Sequence, residues 1–125
     1  MVKLQPPKKI EVRPSMGKGM GVFAREPIKA GEVIEDCHLV FLPIQPHEPS
    51  STLLEDYRFN FPARQSNWTH QVLPLGMGAI YNHSNNFNVE WISHPTIPNV
   101  FRFRAVRDIR RGEECFVYYG NVEFP

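Results

Sequence analysis

The chain has 125 residues, of which 42% are hydrophobic and 22% are charged, and its formal net charge is +1 at pH 7. These values are typical of one folded soluble domain that is large enough to bury a core. A nearly neutral chain argues against a broad electrostatic footprint for nucleic acid or membrane, and no apolar run approaches the roughly 20 residues of a transmembrane helix.

The cysteines and prolines narrow the class further. Cys37 and Cys115 permit one disulfide, but in a chain without an apolar signal segment they are more typical of two reduced, half-buried thiols in an intracellular protein. Neither belongs to a Cys-x-x-Cys pair and the five histidines lack zinc-ligand spacing, so we expect no metal site. Twelve prolines argue against long helices and favour strands joined by turns.

The N-terminal part predicts a hairpin. Residues 1–8 are expected to form a flexible lead. Residues 9–13 alternate polar and apolar side chains, the period of a half-buried strand, which we expect Pro14 to end. The glycine-rich loop 15–21 (SMGKGMG) is able to expose backbone groups to a ligand, but the simpler prediction is a tight turn. A short strand then follows at 22–24.

The central part is less regular. Residues 27–32 predict a turn that leads into an apolar-rich strand at 33–42. Residues 52–55 (TLLE) fit a helix-capping box, so a helical turn is one option there. Residues 57–61 are ambiguous between helix and strand. The polar and aromatic stretch 60–74 predicts a surface loop.

The stretch 76–84 (GMGAIYNHS) stands out because small residues are followed directly by three polar side chains. Gly76 and Gly78 let the main chain pass close to another segment, since neither has a Cβ. Asn82, His83 and Ser84 then offer an amide, an imidazole and a hydroxyl, which satisfy one another, cap a turn or face a ligand.

The C-terminal part predicts further strands. The clearest is 100–105 (VFRFRA), in which apolar side chains alternate with Arg102 and Arg104. The first interpretation of these arginines is a solvated strand face, and the second is a rim for an acidic partner. Strands are also expected at 89–92 and 115–119. Without repeats or linkers, the sequence predicts one compact, mainly β domain.

Four motifs succeed one another along the chain. They are 18–24 (KGMGVFA), 28–35 (IKAGEVIE), Asn82-His83-Ser84 with Asn88 close behind, and 109–120, which contains Gly-Glu-Glu and Tyr-Gly. In this order the motifs resemble the SET-domain family of S-adenosylmethionine-dependent protein lysine methyltransferases, over roughly residues 9–120. The segments 54–57 (LEDY) and 78–80 (GAI) resemble the minimal viral histone methyltransferases of that family in particular.

The resemblance implies a fold. It is the SET fold, a mainly β structure of several short β-sheets around a C-terminal pseudo-knot, with few short helical turns. The SET domain would span residues 9–125 after the lead at 1–8. In this fold the glycines at 76 and 78 are interpreted as clearance for a threaded C-terminal segment.

The resemblance also implies a site for S-adenosyl-L-methionine and for a lysine side chain. Tyr119 is the expected catalytic residue. Substrate contacts are expected from Tyr57, Met20 and Val117. The cofactor contacts are expected from Lys18, Gly19, Met20, Asn82, His83, Tyr119 and Phe124. Alternatives stay open for Tyr57 and Tyr118, which could be core or strand-face aromatics, and for His83, whose side chain could only brace the loop.

The sequence departs from the relatives at four places. Met20 stands where the viral proteins have a tyrosine, and Phe87 replaces a proline. Val117 occupies a position that is often aromatic, and Phe124 supplies the only aromatic ring of the tail after Tyr119. The number of methyl groups transferred is therefore left open.

The implied activity is methyl transfer to a protein lysine ε-amine, on a histone tail by analogy with the viral relatives. A homodimer is one candidate assembly, with no direct contact to nucleic acid or membrane. The location would be the nucleus, or a host nucleus, for a histone substrate and the cytoplasm otherwise. Two alternatives are a SET-fold protein that binds cofactor or peptide with weak turnover, and a strand-rich interaction module that uses Arg102 and Arg104.

Overall fold

The structure is a computed structural model that describes residues 3–42, 59–61 and 70–118. These ranges contain nine strands and no helix, so the prediction of a mainly β chain is confirmed. The strands are β1 (Ile10–Ser15), β2 (Gly19–Ala24), β3 (Val33–Leu42), β4 (Phe59–Phe61), β5 (His70–Pro74), β6 (Asn82–His83), β7 (Val89–Ser93), β8 (Val100–Ala105) and β9 (Glu114–Val117). Nothing in the described ranges forms a helix with the length and apolar character to cross a membrane.

The strands form two sheets. One has the order β1-β2-β9-β6 and the other the order β4-β5-β3-β8-β7. Among the described strands every pairing is antiparallel except that of β6 with β9, which is parallel and sets Asn82 opposite Phe116. The amide of Ser84 extends this contact by donating to the Val117 carbonyl at 3.0 Å. The C-terminal strand is therefore bonded directly to the short strand that carries Asn82 and His83.

The predicted hairpin is confirmed, although its first strand is longer than expected. β1 does not stop at Pro14, because Pro14 pairs with Met20 and Ser15 pairs with Gly19. A proline is tolerated here because β1 is the edge of its sheet and needs no N–H on its outer side. The tight turn is closed by Gly17 and Gly19, whose φ angles of 75° and 76° belong to the left-handed region that glycine adopts without strain.

The predicted surface loop at 60–74 is wrong at both of its ends, and its middle, 62–69, lies outside the described residues. Phe59–Phe61 and His70–Pro74 pair as adjacent strands, and β5 also pairs with β3. Val72 is fully buried between them. The error has a physical origin, since a five-residue strand with few apolar side chains has no periodicity strong enough to show in a polar stretch. The proposed capping box at 52–55 lies outside the described residues.

The core lies between the two sheets, and β8 supplies its centre. Phe101, Phe103 and Ala105 are buried on one face as their alternation predicts. Cys37 and Cys115 are free thiols, but they are fully buried rather than half-buried because both face this core. Burial raises the pKa of the Cys115 thiol to about 12, so the thiol stays neutral at physiological pH.

The opposite face of β8 carries cross-strand ion pairs. Arg102 donates from Nε to Asp36 Oδ1 of β3 at 2.9 Å, and Arg104 donates from Nε to Glu90 Oε2 of β7 at 2.7 Å. The strand register places each acid directly opposite its arginine. These partly exposed pairs each contribute at most about 1 kcal/mol. The arginines are thus compensated within their own sheet, and an interaction module that relies on them for an acidic partner is not supported.

Candidate active site

The turn of the β1–β2 hairpin lies against the strand that carries Asn82 and His83. Asn82 donates from Nδ2 to the Met20 carbonyl at 3.1 Å, and Lys18 donates from Nζ to the His83 carbonyl at 3.4 Å. The Lys18 ammonium also lies 4.9 Å from the centroid of the Phe116 ring, within the range of a cation–π contact. The structure therefore brings the residues expected at 18–20 and at 82–83 together at one point, which we call the hairpin junction.

A carboxylate that sequence reasoning did not single out holds the hairpin junction together. Glu114 Oε2 accepts from Asn82 Nδ2 at 2.7 Å, and its Oε1 accepts from the Ser15 hydroxyl at 2.8 Å. One carboxylate thus joins β1, β6 and β9, and both hydrogen bonds are partly shielded from water. Glu114 lies within the Gly-Glu-Glu motif, but its partners are 32 and 99 residues away in the chain.

Gly21 makes this contact possible. A Cβ at position 21 would meet the Glu114 carboxylate and would lie 2.9 Å from Asn82 Nδ2. Gly21 does not have a positive φ, so space and not backbone conformation requires glycine there. Any side chain at this position would push the Asn82 amide away from the hairpin.

The glycines at 76 and 78 have described neighbours other than the expected C-terminal segment. A Cβ at Gly78 would lie 2.7 Å from Pro74 Cβ and 3.0 Å from Cys37 Sγ, and one at Gly76 would lie 3.1 Å from Glu35 Oε2. Within the described residues, these glycines therefore make room for side chains of β3 and β5. The interpretation of these glycines as clearance for threading stays a prediction, since the C-terminal segment from 119 onward lies outside the described ranges.

Asn88, the last residue of the third motif, anchors β9. It is 1% exposed, and its amide donates to the Glu114 carbonyl at 2.9 Å while its Oδ1 accepts from the Phe116 amide at 2.7 Å. Both ends of this buried side chain are satisfied, as a buried amide requires. Asn88 therefore fixes the backbone on either side of Cys115 and with it the position of Glu114.

The remaining predicted residues lie around the hairpin junction or outside the described ranges. The rings of His83 and Tyr118 are 5.0 Å apart, and that of Phe87 is 6.0 Å from Tyr118. Met20 is half exposed, whereas Val117 is fully buried. A substrate contact by either residue stays a prediction. Tyr57, Tyr119 and Phe124 belong to the ranges that the structure does not describe.

A second buried carboxylate lies beneath the 76–84 segment. Glu35 is 4% exposed, accepts from the Tyr81 hydroxyl at 2.8 Å, and accepts from the Met77 amide at 3.4 Å. Removal from water raises the pKa of the Glu35 carboxyl above its ordinary value of 4.5, against the opposing effect of these hydrogen bonds. Glu35 ends the second sequence motif and Tyr81 lies in the 76–84 stretch, but neither was given a role, because the two residues are 46 positions apart.

The raised pKa of Glu35 predicts a pH-dependent stability. The folded protein binds the Glu35 proton more tightly than the unfolded chain, so this contribution is complete below about pH 4.5 and is lost as the pH rises through the folded pKa. We expect the free energy of unfolding of the wild type, minus that of Glu35→Gln, to fall with rising pH above about 4.5. Urea titrations across this range measure the difference.

Glu32 offers a control of opposite sign. Its hydrogen bond with Lys9 lowers the pKa of the Glu32 carboxyl, so its contribution is present above the unfolded pKa and is lost as the pH falls. The difference between the wild type and Glu32→Gln should therefore rise with pH below about 4.5 and stay level above it. If the difference for Glu35→Gln also stays level or rises above about pH 4.5, the assignment for Glu35 is wrong.

The hairpin junction carries a cationic donor, Lys18, at an exposed turn. A Cβ at Gly19 would meet no atom within 4 Å, so there is open space beside the turn. The Lys18 ammonium has three donors, of which one is directed at the His83 carbonyl. A cationic donor at this turn suits a carboxylate. Among the described side chains, no group of three or more potential metal ligands comes together.

Comparisons with known proteins identify the family. The family model of the SET domain matches residues 19–120. The chain is 31% identical over 114 residues to "Histone-lysine N-methyltransferase, H3 lysine-37 specific" of Schizosaccharomyces pombe, covering 90% of this chain and 74% of that protein. A crystal structure of a candidate histone methyltransferase of Plasmodium falciparum matches with a TM-score of 0.70 and 31% identity, covering 94% of this chain and 98% of the other. The predicted SET fold is confirmed, and the chain belongs to the SET-domain family.

Proposed function

We propose that this protein transfers a methyl group from S-adenosyl-L-methionine to the ε-amine of a lysine, with a histone tail as the substrate class. The observation that carries the proposal is the hairpin junction, where Asn82 and His83 are bonded to Met20 and Lys18. These are the positions at which the family resemblance puts the cofactor. The histone substrate is supported by the name of the fission-yeast relative, and it implies a nuclear location.

The residues of the junction have separate tasks toward the cofactor. Lys18 would bind its carboxylate, while Asn82 and Glu114 hold the hairpin at a fixed distance from His83. The backbone of Gly19 and Met20 would border the cofactor beside the open turn, and Phe124 would cover it from the tail. When bound, the cofactor supplies a methyl group that is already electrophilic, so the protein's main contribution is position.

The protein must also deliver lysine as a neutral amine. A free lysine has a pKa near ~10.4, and entry into an apolar channel lowers it by removing the ammonium from water. Met20, which is half exposed at the hairpin junction, and Tyr57 would line that channel. Tyr119 would orient the amine through its hydroxyl, and Val117 lies buried two residues before it.

The test is transfer of a labelled methyl group from S-adenosylmethionine to core histones. We expect the wild type to label a histone and Tyr119→Phe to lower the rate about 100-fold, in the range that one oriented polar contact contributes to such a step. Cofactor affinity, measured by calorimetry, should change little. Tyr118→Phe is the matched control, and we expect it to retain most activity because phenylalanine keeps the aromatic ring that lies beside His83.

The other outcomes decide between the alternatives. Cofactor binding without label in any histone or lysate protein would favour a SET-fold protein with weak turnover. Absence of cofactor binding would refute the proposal. Label on a protein other than a histone would keep the activity and replace the substrate class. Light scattering of the same sample tests the proposed homodimer.

A further inference from the structure

Among the described residues, the buried pair Glu35–Tyr81 joins a carboxyl group to a hydroxyl that the proposed reaction does not use. It lies between β3 and the segment 76–84, on the core side of the residues that form the hairpin junction. A buried carboxylate is costly unless it is hydrogen-bonded. Most of the buried residues that the structure describes are apolar, so the position of this carboxylate needs a structural reason.

Glu35 connects two ends of one loop. Its Oε2 accepts from the amide of Met77 at the start of the loop, and its Oε1 accepts from the hydroxyl of Tyr81 at the end. Gly76 allows this approach, since a Cβ there would lie 3.1 Å from Oε2. The loop between the two contacts is thereby closed over a single carboxylate.

Tyr81 is fixed from two directions. Its ring is fully buried and stacks on Phe103, with centroids 4.7 Å apart and an angle of 8° between the planes, while its hydroxyl is held by Glu35. The next residue is Asn82, which begins β6. Because Tyr81 and Asn82 are adjacent, fixing Tyr81 also restricts the backbone from which the Asn82 amide reaches Met20 and Glu114.

We propose that Glu35 and Tyr81 are positioning residues that form a buried latch, which sets the orientation of Asn82 and His83 for cofactor binding. The inference rests on the proposed function for its readout, since the aligned residues are those expected to contact the cofactor. The latch acts through the backbone of 77–83 and touches neither cofactor nor substrate. It explains why a carboxylate on β3 meets a hydroxyl on this loop, in a position where two apolar side chains would also pack.

The experiment compares Tyr81→Phe, Glu35→Gln and the double variant with the wild type. Affinity for S-adenosylhomocysteine is measured by calorimetry at a temperature where every variant is folded, and amide hydrogen exchange of 76–84 is measured without ligand. We expect Tyr81→Phe to weaken affinity about tenfold, the effect of losing one hydrogen bond to a charged group. Exchange in 76–84 should accelerate.

The double variant separates positioning from stability. It removes the buried charge together with its partner, so its unfolding temperature should recover toward that of the wild type. Affinity should stay about tenfold weaker, because the Tyr81 end of the loop is then no longer held by the side chain at position 35. If affinity recovers together with stability, the pair only stabilises the fold and the proposal is overturned.

Asp36→Asn is the matched control, because it removes a carboxylate from the neighbouring position of β3 that is paired with Arg102 instead. Its affinity and its exchange in 76–84 should equal those of the wild type. If the wild type itself binds no S-adenosylhomocysteine, the proposed function fails. Amide hydrogen exchange of 76–84 then still shows whether Glu35 and Tyr81 hold this loop in place. Unchanged exchange in Tyr81→Phe would overturn the latch whatever the activity.

Discussion

Replacing Asn82 with alanine is expected to lower cofactor affinity and methyl transfer on the order of 100-fold. Asn82 donates to the Met20 carbonyl at 3.1 Å and to Glu114 Oε2 at 2.7 Å. Losing a bond to a charged group costs about 1.5–3 kcal/mol and a neutral one about 1 kcal/mol, and each 1.36 kcal/mol is tenfold. The hairpin would then no longer be held at a fixed distance from His83. Calorimetry with S-adenosylhomocysteine and the histone labelling assay measure the two effects.

Exchanging the donor and the acceptor between positions 82 and 114 tests whether the hydrogen bond from Asn82 to Glu114 is responsible for the expected loss of cofactor affinity. Asn82→Asp places two carboxylates in contact and should be at least as damaging as alanine. Adding Glu114→Gln restores a donor–acceptor pair with the direction reversed, so part of the affinity should return. If the double variant is no better than Asn82→Asp alone, the contact with Glu114 does not position the cofactor site.

The parts of the fold that follow from short-range periodicity were predictable. The alternation at 100–105 predicted both the strand and its buried face, and the structure confirms them. The hairpin at 15–21 was predictable for the same reason, because glycine at a turn acts locally. The family motifs also predicted that residues 18–20 lie close to residues 82–83, a contact that no local sequence pattern indicates.

Contacts between distant residues were not predictable. The carboxylates of Glu114 and Glu35 acquire their roles from partners 32, 46 and 99 residues away, and a lone glutamate in a strand is normally a solvated side chain. The glycines show the same limit. The sequence indicated that the backbone at Gly76 and Gly78 lies close to another segment. Only the three-dimensional packing shows that side chains of β3 and β5 are the described neighbours of these two glycines. Gly21 belongs to the first motif, but nothing in the sequence indicated that a side chain at this position would collide with Glu114 and Asn82.

Trp91 is the residue whose loss should damage the fold most. It is 2% exposed, and its ring lies 4.8 Å from that of Phe59 and 5.3 Å from that of Phe101. Its indole Nε1 also donates to the Tyr118 carbonyl at 2.9 Å. The side chain thus ties β7 of one sheet to the residue that follows β9 of the other. We expect Trp91→Ala to lower the free energy of unfolding by about 3–5 kcal/mol, measured by urea denaturation.

Such a loss is a large share of the 5–15 kcal/mol that typically stabilises a domain, and Trp91→Ala therefore risks unfolding the protein. A milder second variant tests the hydrogen bond from Trp91 to the Tyr118 carbonyl by itself. Trp91→Phe keeps an aromatic ring in the core but leaves the Tyr118 carbonyl without its donor, which should cost about 1–3 kcal/mol. Because Tyr119 is the next residue, its hydroxyl should be less well oriented, and histone labelling should fall by more than the loss of folded protein explains.

Ile92→Ala is the matched control, because Ile92 lies on the other face of β7 and is only half buried. It should lower stability less than Trp91→Ala and leave labelling per folded molecule unchanged. Equal labelling per folded molecule in Trp91→Phe and wild type would show that the indole supports the core alone.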